Sequence, residues 1–583
     1  MTTHMLGKLC FTLSCNPNLV VYKMKYSLVL VFAIAVFLGF DMSHISYAGE
    51  AEERLAAFMN QYQDDYKRMY CESSYAWWDS MIDGTKESFE KSAAASLAMS
   101  VYHSDSKKYE ELKKLRREAV NATPIEKRAA YVAERTFEQN QIPTDLNKKI
   151  VDLGSEIEQI FQTQRAKLAG KEYTNNELLA MLEKETDSQK RYEIWDALKQ
   201  VGELVAPKMV ELAKLRNEAA QKLGYKNYWE MTVSFQEFNP EELIAIFENL
   251  DRLTAPAFTQ IKKKMDAELK EKFGVDKIMP WHYDNPFFQQ APPSEKINVN
   301  EFYSGLTGQD IVDTASRYYA KLGFDVSPIL KNSDLFEKEG KSQHGFCNDM
   351  NLEGDVRILC NIKPDAEWMD TQLHELGHAI YDYNLDRSLP CNIRCANHIF
   401  TTEGIAELFG AKARDPQWLV ENRGVSPHRA QEATKALTEQ RLREQLIFCR
   451  WTIVMTFYEK ALYENPEQDL NRLWSETTAK YQFLDPLEGR NKADWASKPH
   501  FVIAPVYYHN YMLGELFGAQ IRRSLEKETQ NDPKKFGVLL RERVFAPGDS
   551  LPWEEFVEQA TGESLSVDAF IEEINAAIKT LEE

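Results

Sequence analysis

Two histidines separated by three residues can turn their rings toward one point when the chain between them is helical. The segment His374-Glu375-Leu376-Gly377-His378 therefore constrains local conformation before any other feature is weighed. Its residue types point to a hydrolytic zinc site. Two imidazoles supply neutral nitrogen ligands, and the carboxylate beside them takes a proton from water. A match of five residues is moderately specific, because His and Glu are also ordinary on helix surfaces. A solvated helix face is the alternative reading, and the rest of the chain has to decide between them.

The surrounding pattern favours helix. From Ala51 to about Gln200, charged stretches such as Lys107-Lys108-Tyr109-Glu110-Glu111-Leu112 carry apolar residues at three- and four-residue intervals. Pro124 and Pro143 read as breaks between helices. Helix is expected again at Leu212–Leu223, at Pro240–Phe273 and through most of the last third. An irregular, aromatic-rich connection runs from Pro280 to Pro293. One strand signal stands out: Asp355–Ile362 alternates apolar and polar residues and stops before Pro364. A second strand near Gly345–Met350 would pair with it through the turn Asn351–Gly354. At 583 residues with no Gly/Ser linker and no internal repeat, the expected architecture is mainly α, with one large domain over residues 49–583. The 70 Lys+Arg against 90 Asp+Glu leave a net charge of -20, which argues against nucleic acid or an anionic membrane as main partner.

The first 48 residues read as a signal peptide. Met24-Lys25 opens a basic region, Ser27 to Phe40 carries no charge, and Ser46-Tyr47-Ala48 offers small residues to a signal peptidase. The apolar run is short against the roughly 20 residues of a spanning helix, so an uncleaved anchor is the lesser alternative. Met24 is the alternative initiator. An exported mature chain beginning near Gly49, periplasmic or secreted, is expected. Cys71, Cys347, Cys360, Cys391, Cys395 and Cys449 would then meet oxidising conditions, and their pairing stays open. The Cys391/Cys395 spacing is a weak zinc-thiolate signal with no second pair nearby.

A catalytic zinc needs a third protein ligand and an open position for water. Downstream, Glu403-Gly404-Ile405-Ala406-Glu407 puts two carboxylates on one helix face, where they repel unless a cation relieves them. The economical assignment makes Glu403 the third zinc ligand and Glu407 an acceptor for the remaining ring N–H of a histidine. A solvated Glu pair is the alternative. Stabilisation for a peptide oxyanion would come from the segment Lys498-Pro499-His500-Phe501 and Tyr507-Tyr508-His509-Asn510-Tyr511, although aromatics and a histidine there also suit a plain core.

Taken together, His-Glu-Leu-Gly-His, Ala396-Asn397 and Glu-Gly-Ile-Ala-Glu resemble the angiotensin-converting enzyme family of zinc peptidyl-dipeptidases and, more distantly, thimet-type oligopeptidases. Leu215-Arg216-Asn217-Glu218-Ala219-Ala220 with Gly224-Tyr225, and Ser73-Ser74-Tyr75-Ala76-Trp77-Trp78, extend the resemblance over nearly the whole mature chain. It implies a two-lobed helical metallopeptidase with a deep central channel, a small β element beside the zinc helix, and one Zn(2+) per chain. It implies peptide substrates and Glu375 as the proton-transferring group. His500 and Tyr511 would hydrogen-bond the reacting carbonyl, and Lys498, Tyr508 and Gln289 would bind a terminal carboxylate. His344, in His344-Gly345-Phe346, would bind the peptide backbone.

The sequence also departs from that family's pattern. Glu403 stands 25 positions after His378, one more than the usual spacing; Glu407 replaces the usual Asp; and the tyrosine segment carries an insertion. Animal members use arginines for chloride activation where this chain has Thr478 and Asn510, so no chloride dependence is expected. The expected reaction is release of C-terminal dipeptides. Its rivals are an oligopeptidase or carboxypeptidase with the same zinc site, and a zinc-free binding protein on a peptidase scaffold.

Overall fold

The computed structural model describes residues 42–292 and 296–583. The expected signal peptide lies outside the described residues, apart from residues 42–48, which open the first helix. Among the described residues, no helix is long and apolar enough to cross a membrane.

The protein is mainly α with few strands. The helices that frame the site are α1 (Met42–Asp83), α2 (Ser188–Lys222), α3 (Pro240–Phe273), α4 (Ala366–Tyr383), α5 (Ile399–Gly410), α6 (Pro427–Glu464) and α7 (Tyr508–Ile521). Their ends follow local chemistry. Asn239 accepts from the backbone N–H of Glu241 and Glu242, Pro240 fills the first turn, and Gly274 closes α3 at φ 63°. The two prolines expected to break helices do so. Pro124 starts a helix behind the Thr123/Glu126 capping box, and Pro143 stands just before the helix that follows, without a side-chain capping bond. Pro207 lies inside α2 without ending it.

Strands β3 (Phe346–Asp349) and β4 (Val356–Leu359) form the expected antiparallel hairpin, with Phe346 opposite Leu359 and Asp349 opposite Val356. Its outer edge is covered: the Asp334 N–H donates to the Ile358 carbonyl at 3.0 Å, and the Cys360 N–H to the Asp334 carbonyl at 2.9 Å. Helix α1 docks on the hairpin. Trp77 and Trp78 pack on Phe346 with ring centroids 4.4 and 5.8 Å away, the Tyr70 hydroxyl donates to the Asp349 carbonyl at 2.6 Å, and the Ser342 N–H reaches the Met81 carbonyl at 2.8 Å.

A second hairpin, β1 (Ala166–Leu168) with β2 (Lys171–Tyr173), lies in a stretch read as helical. Each strand is three residues long, too short for alternation to register. The pair is made by its turn, where Ala169 and Gly170 both have positive φ, 50° and 79°.

The centre of the molecule is unusually close-packed, with α5 wedged between α4 and α7. A Cβ on Gly404 would sit 2.5 Å from the Gly514 carbonyl oxygen, and one on Gly377 would sit 2.9 Å from the Ala406 Cα. Backbone therefore meets backbone at these crossings. Gly377 thus lets the two motifs approach each other, and Gly404 lets α5 approach α7.

Candidate metal centre and substrate residues

Helix α4 carries His374, Glu375 and His378 on a fully buried stretch, and α5 brings Glu403 to the same point; none of the four is more than 3% exposed. The solvated-helix alternative is therefore excluded. Nε2 of His374 lies 3.1 Å from Nε2 of His378 and 3.8 Å from Oε2 of Glu403. A tetrahedral zinc with bonds of about 2.0–2.1 Å holds its ligand atoms roughly 3.4 Å apart, so this trio has the spacing of a zinc shell. Among the described residues it is the one group of three His, Cys, Asp or Glu side chains close enough to hold a metal, with donor atoms within 4.8 Å of one another. Cys391 and Cys395 join no such group there.

The other ring nitrogens are oriented from behind. Nδ1 of His374 lies 3.4 Å from Oε1 of Glu407, where the Glu pair on α5 was expected to bring that carboxylate. Nδ1 of His378 lies 2.6 Å from the Thr402 hydroxyl, a partner that sequence reading did not single out. Facing Nδ1 with polar partners leaves each Nε2 lone pair for a metal. The donor set and its geometry thus fit zinc.

Glu375 points the other way, toward β3. A Cβ on Gly345 would lie 3.4 Å from Oε1 of Glu375 and 2.9 Å from Cγ2 of Thr371, so only glycine leaves this approach open. The expected peptide-binding His344 is the next residue along that edge, half-buried, with its N–H 3.3 Å from the Ser342 hydroxyl.

Of the residues expected to meet substrate, Lys498, His500, Tyr508 and Tyr511 stand on one short stretch, and Gln289 reaches it from another segment. Nζ of Lys498 donates to Oε1 of Gln289 at 2.6 Å, bridging segments far apart in sequence, and lies 5.4 Å from the centroid of the Tyr508 ring. Phe287 and Trp451 complete the aromatic wall, at 5.4 and 5.2 Å. Burial, and then the nearby Lys199, push the Lys498 ammonium down to about 7. The His500 and Tyr508 ring centroids are 4.9 Å apart, and those of Tyr508 and Tyr511 5.5 Å. Burial, then Glu403 and Glu407, push the Tyr511 phenol up, which keeps it a hydrogen-bond donor. That influence also places Tyr511 on the metal side of the stretch. At the two positions considered for chloride, Asn510 donates to Gln236 at 2.8 Å and Thr478 to the Trp474 carbonyl at 3.0 Å.

Arg216 stands in the Leu215–Ala220 motif, whose pattern alone suggests no role for it. It donates to the carbonyls of Phe501 and Val502 at 2.7 and 2.8 Å and to the Tyr463 hydroxyl at 3.0 Å, pinning the turn that carries His500.

Residues 180–576 match the family model described as Peptidase family M3. The chain belongs to this family. M3 peptidases are zinc metallopeptidases, and the matched span holds all three candidate ligands, Glu375 and the stretch from Lys498 to Tyr511. A second model, described as Angiotensin-converting enzyme, matches residues 49–286. The two matches overlap over residues 180–286, and the second ends before Gln289 and the metal helices.

Oligopeptidase A of Salmonella typhimurium is 23% identical over 224 residues, 35% of this chain and 31% of that protein. Oligopeptidase A of Escherichia coli is 23% identical over 221 residues, 34% of this chain and 31% of its own length. The mouse angiotensin-converting enzyme-like protein Ace3 is 20% identical over 411 residues, 64% of this chain and 55% of that protein. The chain therefore spans about a third of the two bacterial relatives and about half of the mouse one.

Proposed function

We propose that this M3 chain is a zinc-dependent peptidase that releases dipeptides from the C-terminus of peptides, without a chloride requirement. The observation that carries the reading is the Lys498–Gln289 contact of 2.6 Å. A buried ammonium held by a neutral amide is an expensive arrangement, and among the described residues no carboxylate forms an ion pair with it. A ligand carboxylate would complete it, with Tyr508 as a further donor.

In this reading His374, His378 and Glu403 hold the metal. Zinc there supplies Lewis-acid polarisation of the scissile carbonyl and makes water more acidic. Glu375 takes the proton from the attacking water and returns it to the leaving amine. His500 and Tyr511 donate to the carbonyl oxygen as it gains negative charge. Glu407 and Thr402 hold the histidine rings, and His344 on the hairpin edge binds the peptide backbone. Lys498, Gln289 and Tyr508 bind the substrate's terminal carboxylate, and the bond cut is the one two residues before it.

A second reading, an oligopeptidase that cuts internal bonds, is favoured by the likeness to the oligopeptidase A proteins. Mass analysis of the products of one long, free-acid peptide separates the two. Successive loss of dipeptides, abolished by a zinc chelator, supports dipeptide release. Internal fragments with an intact C-terminal segment would favour the oligopeptidase.

A further inference from the structure

The stretch from Lys498 to Tyr511 contains one backbone position that its own residue type disfavours. Val506 has φ 54°, a left-handed conformation that a β-branched side chain resists. It follows Pro505, and in a turn begun by proline a positive φ at the next position normally selects Gly or Asn. Val506 is nonetheless buried, at 1% exposure, so its side chain is packed in this conformation.

Both polar groups of Val506 are held from outside the stretch. Its N–H donates to Oε1 of Glu459, on α6, at 2.9 Å. Its carbonyl accepts from Nε2 of Gln236 at 3.0 Å. The Gln236 side-chain oxygen in turn accepts from Asn510 at 2.8 Å and lies 2.7 Å from Nε2 of His509. One glutamine thus ties the strained turn to the first turn of α7, where Tyr508 and Tyr511 stand. The proposed mechanism makes no use of Glu459, yet it is a carboxyl group only 3% exposed. Burial pushes it up to about 8, against the opposing influence of the Val506 N–H and Arg216, so near neutral pH it is largely the uncharged acid. Its acceptor oxygen is then its contribution, rather than its charge.

We propose that Glu459 and Gln236 are positioning residues that hold Val506 left-handed and so aim Tyr508 and Tyr511 at the substrate. The role rests on the peptidase reading above; the clamp itself does not. Strained backbone persists where surrounding contacts over-determine it, and such sites cluster where geometry matters for function. Without the clamp, the Ala504–Tyr507 turn relaxes toward negative φ and carries the start of α7 with it. Glycine at 506 removes the need for the clamp, because it adopts this conformation without resistance.

That compensation is the test. Glu459→Ala is expected to lower kcat/KM on a free-acid peptide about tenfold or more, as a displaced tyrosine would, with zinc content unchanged. Glu459→Gln keeps the acceptor and should stay near wild type. The double variant Glu459→Ala/Val506→Gly should recover most of the loss, and Gln236→Ala should be rescued by Val506→Gly in the same way if Glu459→Ala folds poorly. Hydrogen exchange supplies a readout independent of turnover: amides 506–511 lose protection in Glu459→Ala and regain it in the double variant. A folded Glu459→Ala protein with unchanged activity and exchange would overturn the proposal, as would failure of Val506→Gly to restore either. If the wild type releases no dipeptide from any peptide, the peptidase reading fails instead, and the exchange result still decides the clamp.

Discussion

Oγ1 of Thr402 lies 2.6 Å from Nδ1 of His378, one residue before the carboxylate that meets the same histidine pair from α5. The contact fixes the ring that must present Nε2 to a metal. Thr402→Val keeps the shape and removes the hydrogen bond, so zinc affinity should fall about 10- to 100-fold, the usual effect of losing such a partner. Thr402→Ser should retain most of it. Competition with a chromogenic chelator measures both.

Glu375 is buried but belongs to none of the metal-holding atoms. Glu375→Gln is therefore expected to bind zinc normally while turnover drops by roughly 10²–10⁴, the range for losing a general acid–base. Metal analysis beside a kcat measurement checks it. Near-normal turnover would remove Glu375 from its assigned role.

Gly404 stands where α5 crosses α7, and an added Cβ would lie 2.5 Å from a backbone oxygen that cannot swing aside. Gly404→Ala should destabilise the protein by about 1–3 kcal/mol through overpacking. Because Glu403 is its neighbour, zinc should also be lost more readily. Thermal unfolding with and without added zinc reads both effects.

Much of this site was legible because its signals are local. His374 and His378, or Glu403 and Glu407, need only the helical period to share a face, and the alternation of Asp355–Ile362 betrayed the hairpin beside them. What the chain does not spell out locally is which distant groups meet. Thr402 is an unremarkable hydroxyl until α5 packs against α4, and Arg216, Gln236 and Glu459 act on backbone groups that any residue could offer. The β1–β2 hairpin was hidden for another reason: two positive-φ residues made it, and three-residue strands carry no period. The glycines at 377 and 404 could have been suspected from their places inside the motifs. Their purpose, close crossing of helices, depends on the tertiary arrangement.

Lys498, proposed to bind the substrate carboxylate, sets a pH dependence. Burial, then Lys199, bring Lys498 down to about 7, and burial brings Lys199 down to about 7 as well, whereas an unfolded lysine titrates near 10.4. Between these values the unfolded chain holds protons that the folded one lacks, so this pair makes stability rise with pH across roughly 7 to 10. Substrate binding runs the opposite way, since a carboxylate needs the ammonium form. KM for a free-acid peptide should climb above pH 7, toward about tenfold per unit, and should be flat for Lys498→Met. KM profiles against pH, taken under one buffer series, test the sign directly.

The central claim is that a substrate's terminal carboxylate meets Lys498 and Gln289 while the bond two residues away meets the zinc site. Its most direct test compares two peptides of identical sequence, one ending in a free carboxylate and one in an amide, by kcat/KM and by product mass with the wild-type protein. The account predicts dipeptide release from the free acid and a loss of roughly 30-fold or more on amidation, the cost of leaving a buried charge without its partner. Equal cleavage of the two peptides, at internal bonds, would contradict it.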